Sequence, residues 1–336
     1  MAVKIGINGF GRIGKIVYRL LANDPEIEVV AINDTADIQT LAHLLKYDSV
    51  HGVFNADIRY DENFLYVNNK KTLVIQEREP SKIPRTELGT NFVIESSGRF
   101  TKKALLQQHI DSGAQKVILS CPPDDELDKM VIIGVNEDEL RPEHKIISNA
   151  SCTSNCIAPI LKILNEEFGV ESAFMNTVHP FTNNQSILDG PHKDLRRGRT
   201  SGNNIIPTTT TAIKAVQSVM PYFKGKFDGI ATRVPVPDGS IVELTAILKK
   251  DTSVKEINEL FKIKADTSYM NIIEYCDEPI VSTDIIDNPN SAIFDSLSTK
   301  VLGGKFIQLV VWYDNEFGYS NRVVDLIKIL AKFDNK

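Results

Sequence analysis

The sequence predicts an α/β chain of two domains. The first, over residues 1–150, is a doubly wound parallel sheet; the second, over residues 151–318, is an α+β domain with a mainly antiparallel sheet. A last helix over 319–336 joins the first domain. Three observations carry this. An alternating strand, Val3, Ile5 and Ile7, runs straight into Gly9-Phe10-Gly11-Arg12-Ile13-Gly14. Strand-like and helix-like segments then alternate to residue 150. Beyond residue 205, long strands follow one another without short helices between them. The 336 residues exceed one average domain, and 42% hydrophobic with 24% charged residues are globular values that exclude a disordered or fibrous chain.

The first elements are the most specific. After the glycine turn, Ile13, Ile16, Val17, Leu20 and Leu21 recur at helical spacing, and a second apolar strand, Glu28 to Asn33, ends at Asp34. Gly9, Gly11 and Gly14 would let the backbone turn tightly and approach a pyrophosphate at the positive end of the helix. The Asp34 carboxylate would accept from a ribose 2′-hydroxyl and repel a 2′-phosphate, so NAD is expected over NADP. Alone, the glycine pattern could be a chance turn; its strand, helix and acid identify a Rossmann-type unit. Phe92 to Glu95 and Lys116 to Ser120 read as buried parallel strands. Ligands of such sheets bind at the carboxyl ends of strands, which makes Ser97 and Ser120 cofactor-facing candidates, or simple turn caps.

In the second domain, Ile241 to Leu248 and Phe306 to Tyr313 read as long strands, with a helix from Val254 to Lys264 between them. Cys152 falls at or just before the start of a helix marked by Ile157, Ile160, Leu161 and Leu164. Peptide dipoles there favour the thiolate, the reactive form. Cys156, one turn on, could pair with it at a metal, but no further Cys or His stands at ligand spacing, and a structural role suits it better. Met175 to His179 reads as a strand entering a polar loop. A histidine beside a thiolate can stabilise it and exchange protons with substrate oxygen, although a lone histidine is commonly a packed one.

Composition narrows the partners. A net charge of −6 gives no general attraction to nucleic acid or to an anionic membrane surface. The longest strongly apolar run, Phe306 to Tyr313, is far short of the ~20 residues a bilayer requires. Four cysteines make no disulfide framework, and no secretory signal is visible, so a reducing cytoplasm is expected. Within His192 to Arg199, four cations stand against one acid. Such a run is usually a solvated face, but threonines surround it: Thr182 before, and Thr208 to Thr211 opening the next helix. Hydroxyls and helix-end amides beside arginines make a phosphate site. No aromatics interleave with the cations, which fits nucleic acid poorly.

Together these residues resemble the phosphorylating glyceraldehyde-3-phosphate dehydrogenases over essentially the whole chain. The segments that carry the resemblance are Ile7 to Gly14, Ser148 to Cys156, Thr177-Val178-His179, Asp194 to Arg197, Arg233-Val234-Pro235 and Trp312 to Tyr319. It implies that Cys152 attacks an aldehyde and that His179 manages the protons. It implies a substrate-phosphate pocket of Thr182 and Arg233. A second pocket, for inorganic phosphate, would use Ser151, Thr153, Thr210 and Thr211 with Arg197 nearby. Arg12, Ile13, Asp34, Arg78, Ser120, Asn315 and Tyr319 would contact NAD, with Asn315 orienting the nicotinamide amide. Gly190-Pro191 looks like the NAD-preferring form of its loop. A homotetramer is implied, its long loop of about Asn183 to Pro207 packing near a neighbour's cofactor; no metal is.

Two departures stand out. Thr211 occupies a usual glycine position and could narrow the phosphate pocket, and Asn184 replaces a usual aspartate. The expected function is NAD-dependent oxidation and phosphorylation of D-glyceraldehyde 3-phosphate. Two alternatives are an erythrose-4-phosphate dehydrogenase, which Thr211 keeps open, and a nucleotide-binding scaffold without catalysis, against which the intact Cys152 and His179 speak.

Overall fold

A computed structural model describes residues 2–334. The chain divides into two compact units, one made of the residues up to Val131, Asn136–Ala150 and Ser320 onward, the other of Ile132–Val135 and Ser151–Tyr319.

The first unit opens with β1 (Val3–Asn8), α1 (Arg12–Leu21), β2 (Ile27–Asn33), α2 (Ile38–Lys46), β3 (Tyr47–Asp48), β4 (Gly52–Val53), β5 (Ile58–Tyr60), β6 (Phe64–Val67) and β7 (Lys70–Ile75). It continues through α3 (Arg85–Leu88), β8 (Phe92–Glu95), α4 (Lys103–Asp111), β9 (Lys116–Leu119), β10 (Lys129–Met130) and β11 (Ile146–Ser148). Nine strands form one sheet in the order β10-β11-β9-β8-β1-β2-β7-β6-β5, and β3 pairs β4 apart from it. Pairing is parallel from β10 to β7, and β6 and β5 extend the edge antiparallel. Ile5, Ile7, Val93, Ile94, Val117 and Ile118 are fully buried, as strands covered on both faces require. The strand order reverses beside β1, since β2 and β8 flank it on opposite sides, and a doubly wound sheet opens its ligand crevice at such a point. Gly9 turns the chain there with φ +90°, a conformation in which a side chain would strike Ser97. Gly14 holds α1 against the turn, for a Cβ would lie 2.2 Å from the Gly9 carbonyl oxygen.

The second unit contains α5 (Cys152–Glu167), β12 (Val170–Pro180), β13 (Ile206–Thr208), α6 (Ala212–Val219), β14 (Phe227–Val234), β15 (Ser240–Leu248), α7 (Val254–Asp266), β16 (Ile273–Cys276), β17 (Ala292–Leu302) and β18 (Phe306–Tyr313). Seven strands pair in the order β13-β14-β12-β15-β18-β17-β16. The sheet is mainly antiparallel, with parallel exceptions at β12/β14 and β16/β17. Helix α5 is buried along most of its length, including Cys156, Ile157, Ile160, Leu161 and Leu164. Helix α8 (Phe317–Asp334) begins earlier than the apolar spacing suggested, because the Asp314 carboxylate accepts from the amides of Glu316 and Phe317 at 2.9 and 2.7 Å and starts the turn. Among the described residues no helix is long and apolar enough to cross a membrane.

Gly14→Ala forces an oxygen contact that cannot relax without moving α1, and is expected to cost about 1–3 kcal/mol. Gly11→Ala points its methyl into open space and should stay within about 0.5 kcal/mol of the parent. Urea midpoints at constant slope measure both.

Candidate active site and cofactor cavity

In the second unit, the start of α5 is fixed by a reciprocal cap. The Ser154 amide donates to Ser151 Oγ at 3.1 Å, and the Ser151 amide donates to Ser154 Oγ at 2.8 Å. Ala150, just upstream, is held at φ +55°, a left-handed conformation costly for a residue with a Cβ. The outcome is that Cys152 is the first helical residue, half-buried, with Sγ 3.5 Å from His179 Nε2. His179 comes from the end of β12, where it pairs with Arg233 of β14.

Arg233 Nη1 lies 2.5 Å from His179 Nδ1 and donates to the Pro180 carbonyl at 2.9 Å. Nδ1 is also 2.9 Å from that carbonyl. This nitrogen can accept from Arg233 or donate to Pro180, not both at once. With Arg233 engaged, the ring proton sits on Nε2 and faces sulfur; with Nδ1–H on Pro180, Nε2 offers its lone pair instead. Tyr313 closes the back of the site. Its hydroxyl lies 2.8 Å from both Thr153 Oγ1 and Thr177 Oγ1, and its ring meets the imidazole edge-on at 6.0 Å. Sequence reasoning placed Tyr313 in a strand and in the Trp312 to Tyr319 segment without a role at the site, because that role arises from pairs 160 and 136 residues apart.

The electrostatics differ from the expected ready-made ion pair. Burial pushes the Cys152 thiol up, while Arg233 and bonds from Thr153 pull it down. Burial first, and Arg233 second, lower His179 to about 3. Desolvation therefore acts on both groups in the same sense, toward the neutral thiol and the neutral imidazole.

Arg197 is anchored by Thr208 Oγ1 at 2.8 Å and the Thr209 carbonyl at 2.9 Å, with Asp194 accepting from Thr208 at 2.5 Å. Thr210 and Thr211 line a cavity of about 750 Å³ with Lys214 and Lys226; Cys152, His179 and Arg233 are not among its lining residues. Thr211 has φ −79°, ordinary for any L-residue, so its side chain imposes no backbone strain where glycine was expected. The Thr182 amide donates to Gln185 Oε1 at 3.3 Å. Asn184 Oδ1 lies 3.4 Å from His192 Nε2. Asn315 Oδ1 accepts from Ser240 Oγ at 2.6 Å.

The first unit holds a cavity of about 470 Å³ at the switch point. Of the residues singled out from sequence, Gly9, Gly11, Asp34, Arg78 and Ser97 line it; Arg12, Ile13, Gly14 and Ser120 do not. Arg12 is ion-paired with Asp48, and the Ser120 hydroxyl donates to the Glu95 carbonyl at 3.0 Å. Asn315 and Tyr319 belong to the other unit. Asn33, Glu77 and Phe100 also line the cavity and were missed, having no local motif. Asp34 binds the glycine turn through the Phe10 amide at 2.8 Å and accepts from Ala36 at 3.1 Å. The start of α1 carries no side-chain cap. Gly11, a Cβ on which would meet nothing, leaves room for a phosphate to approach. These residues fit a dinucleotide.

Residues 3–103 match the model of the glyceraldehyde 3-phosphate dehydrogenase NAD binding domain, and residues 151–315 match that of the same enzyme's C-terminal domain. The chain belongs to the glyceraldehyde-3-phosphate dehydrogenase family. The dehydrogenase of Thermotoga maritima is 54% identical over 331 residues, covering 98% of this chain and 99% of that protein. That of Geobacillus stearothermophilus is 51% identical over 332 residues, with 98% and 99% covered. Glyceraldehyde-3-phosphate dehydrogenase 2 of Bacillus subtilis is 50% identical over 332 residues, with 98% and 97% covered. NAD is the cofactor of this family member, as Asp34 implied.

Neutral burial of His179 has a consequence for stability. Its folded pKa lies below the free value of 6.5, so the unfolded chain takes up the proton first as the pH falls. The contribution is intact above that value and is lost progressively toward pH 3. Between pH 7 and pH 5 it amounts to about 2 kcal/mol, and His179→Gln should remove that share of the pH dependence in urea titrations.

Proposed function

We propose that Cys152 and His179 carry out the NAD-dependent oxidation and phosphorylation of D-glyceraldehyde 3-phosphate, the glycolytic step of this family. The observation that carries the reading is the 3.5 Å approach of Sγ to Nε2 at a capped helix start, with Arg233 beside the ring.

Cys152 sulfur adds to the aldehyde carbon while His179 Nε2 takes the thiol proton and passes it to the carbonyl oxygen, giving a hemithioacetal and a neutral imidazole. His179 then accepts the hydroxyl proton as the carbon–hydrogen bond breaks. Bound NAD supplies the chemistry of a hydride acceptor, leaving a thioester on Cys152. Inorganic phosphate attacks the thioester carbon, the carbon–sulfur bond breaks, and the departing sulfur recovers the proton that His179 took from the hydroxyl. The product is the acyl phosphate 1,3-bisphosphoglycerate.

Arg233 holds the substrate phosphate with Thr182. Its Nε is buried without a partner, as a donor kept for an anion would be. That phosphate would also draw the guanidinium from His179 Nδ1, which then donates to Pro180 and frees Nε2 as the base. Ser151, Thr153, Thr210 and Thr211, with Arg197, serve the attacking phosphate. Gly9, Gly11, Asp34, Arg78 and Ser97 hold NAD, with contacts from Arg12, Ile13, Gly14, Ser120 and Tyr319, and Asn315 orients its carboxamide. The protein is a cytoplasmic homotetramer in this reading. The long loop supports self-association, for Ile187, Leu188, Leu195 and Ile205 stand 82%, 74%, 85% and 72% exposed.

Cys152→Ser should lower turnover by about a thousandfold or more while leaving NAD binding intact, since an alcohol is poorly ionised. Mass spectrometry of the quenched parent should find the acyl group on the Cys152 peptide. Its absence there, or phosphate-independent oxidation favouring the four-carbon sugar, overturns the assignment. Asp34→Ala should weaken NAD by about tenfold and narrow its advantage over NADP in binding titrations.

A further inference from the structure

An enclosed charged cluster adjoins the NAD cavity and takes no part in the chemistry. Glu95, His109 and Arg85 are each 1% exposed or less. Glu95 ends the strand β8, His109 comes from α4 and Arg85 from α3. Both carboxylate oxygens are saturated. Oε2 accepts from Asn8 Nδ2 at 2.6 Å and faces His109 Nε2 at 3.0 Å. Oε1 accepts from the Ser97 amide at 2.9 Å and the Ser97 hydroxyl at 2.5 Å.

On the far side of the ring, Arg85 Nη2 lies 3.2 Å from His109 Nδ1. A guanidinium has only donors, so Nδ1 accepts and the ring proton sits on Nε2, where it donates to Glu95. Burial keeps this imidazole's proton affinity below its free value, and the ring stays neutral between a cation and an anion.

An ionised carboxylate only accepts, and that fixes the direction of every bond leading away from it. Asn8 must present its amide nitrogen to Glu95, so its Oδ1 accepts from Asn33 Nδ2 at 2.7 Å. Asn33 Oδ1 then accepts from the Glu77 amide at 2.8 Å, while Asn33 Nδ2 also reaches the Glu77 carbonyl at 2.9 Å. Asn8, Asn33, Glu77 and Ser97 all line the cavity. The Ser97 hydroxyl, its proton given to Glu95, offers only lone pairs to a ligand.

We propose that Glu95 is a positioning residue for NAD: its carboxylate, balanced across neutral His109 by Arg85, sets the polarity of the hydrogen-bonded chain through Asn8 and Asn33 to Glu77 that walls the cavity. The inference rests on the reading of this cavity as the NAD site. A neutral amide at position 95 sets an NH2 group against a pair of donors in either orientation. Where it faces Asn8, relief means turning over Asn8 and Asn33, and the Glu77 amide loses its acceptor; where it faces Ser97, the serine amide and hydroxyl lose theirs.

The test uses the full chain, measuring NAD dissociation constant, thermal midpoint and steady-state rates for Glu95→Gln and for Glu95→Gln combined with Arg85→Met. NAD titration of the parent comes first; a parent that binds none defeats the reading of the cavity before any variant is made. Glu95→Gln should raise the NAD dissociation constant about tenfold, with kcat at saturating NAD within about twofold of the parent. It should also lower the thermal midpoint, because a buried guanidinium loses its counter-charge. The double variant removes that cation, so the midpoint should recover while the dissociation constant stays raised. An unchanged NAD affinity in Glu95→Gln overturns the proposal. So does affinity restored together with stability in the double variant. A chain that fails to fold even with Arg85→Met assigns the carboxylate to folding alone and overturns it equally.

Discussion

The chemistry of this chain hangs on where a helix begins. The Ser151–Ser154 cap makes Cys152 the first residue of α5, and the neighbouring strand β12 ends where its histidine comes within 3.5 Å of the sulfur. A shift of one residue in the cap would rotate the thiol by about 100° around the helix axis and take it out of reach. The positive φ of Ala150 is the local strain that this placement tolerates. Strand pairing adds the rest, since the register that sets His179 opposite Arg233 also determines which charge meets the ring.

That charge has opposite effects on the two members of the pair. Arg233 favours a thiolate and disfavours an imidazolium, so it cannot simply be an activator. Desolvation acts on both in the same sense, toward neutrality. Whatever engages the guanidinium alters the balance, and a phosphate dianion would do so by geometry as well as by charge. In a chain of net charge −6, such a local cation would be what holds an anion against the overall field.

What could be read from the residues was what is local. The glycine turn, Asp34, the helix start at Cys152 and the strand ending at His179 each depend on spacing within a few residues, and each lies where the pattern put it. The antiparallel edge β5–β7 was not foreseen, because Ile58 to Ile75 is too short and polar to separate from turns by periodicity. Tyr313, and the union of Glu95 with His109 and Arg85, depend on contacts between distant segments that no motif announces. Ser120 stands at a strand end, as ligand contacts do in such sheets, and its hydroxyl donates to the Glu95 carbonyl, a bond that position alone does not announce and that leaves it only lone pairs to offer.

The burial that raises the proton affinity of the Cys152 thiol also bears on how its sulfur meets damage. Peroxides and alkylators attack sulfur anions far faster than thiols, so desolvation restrains side reactions at the same atom whose anion the chemistry needs, while Arg233 acts the other way.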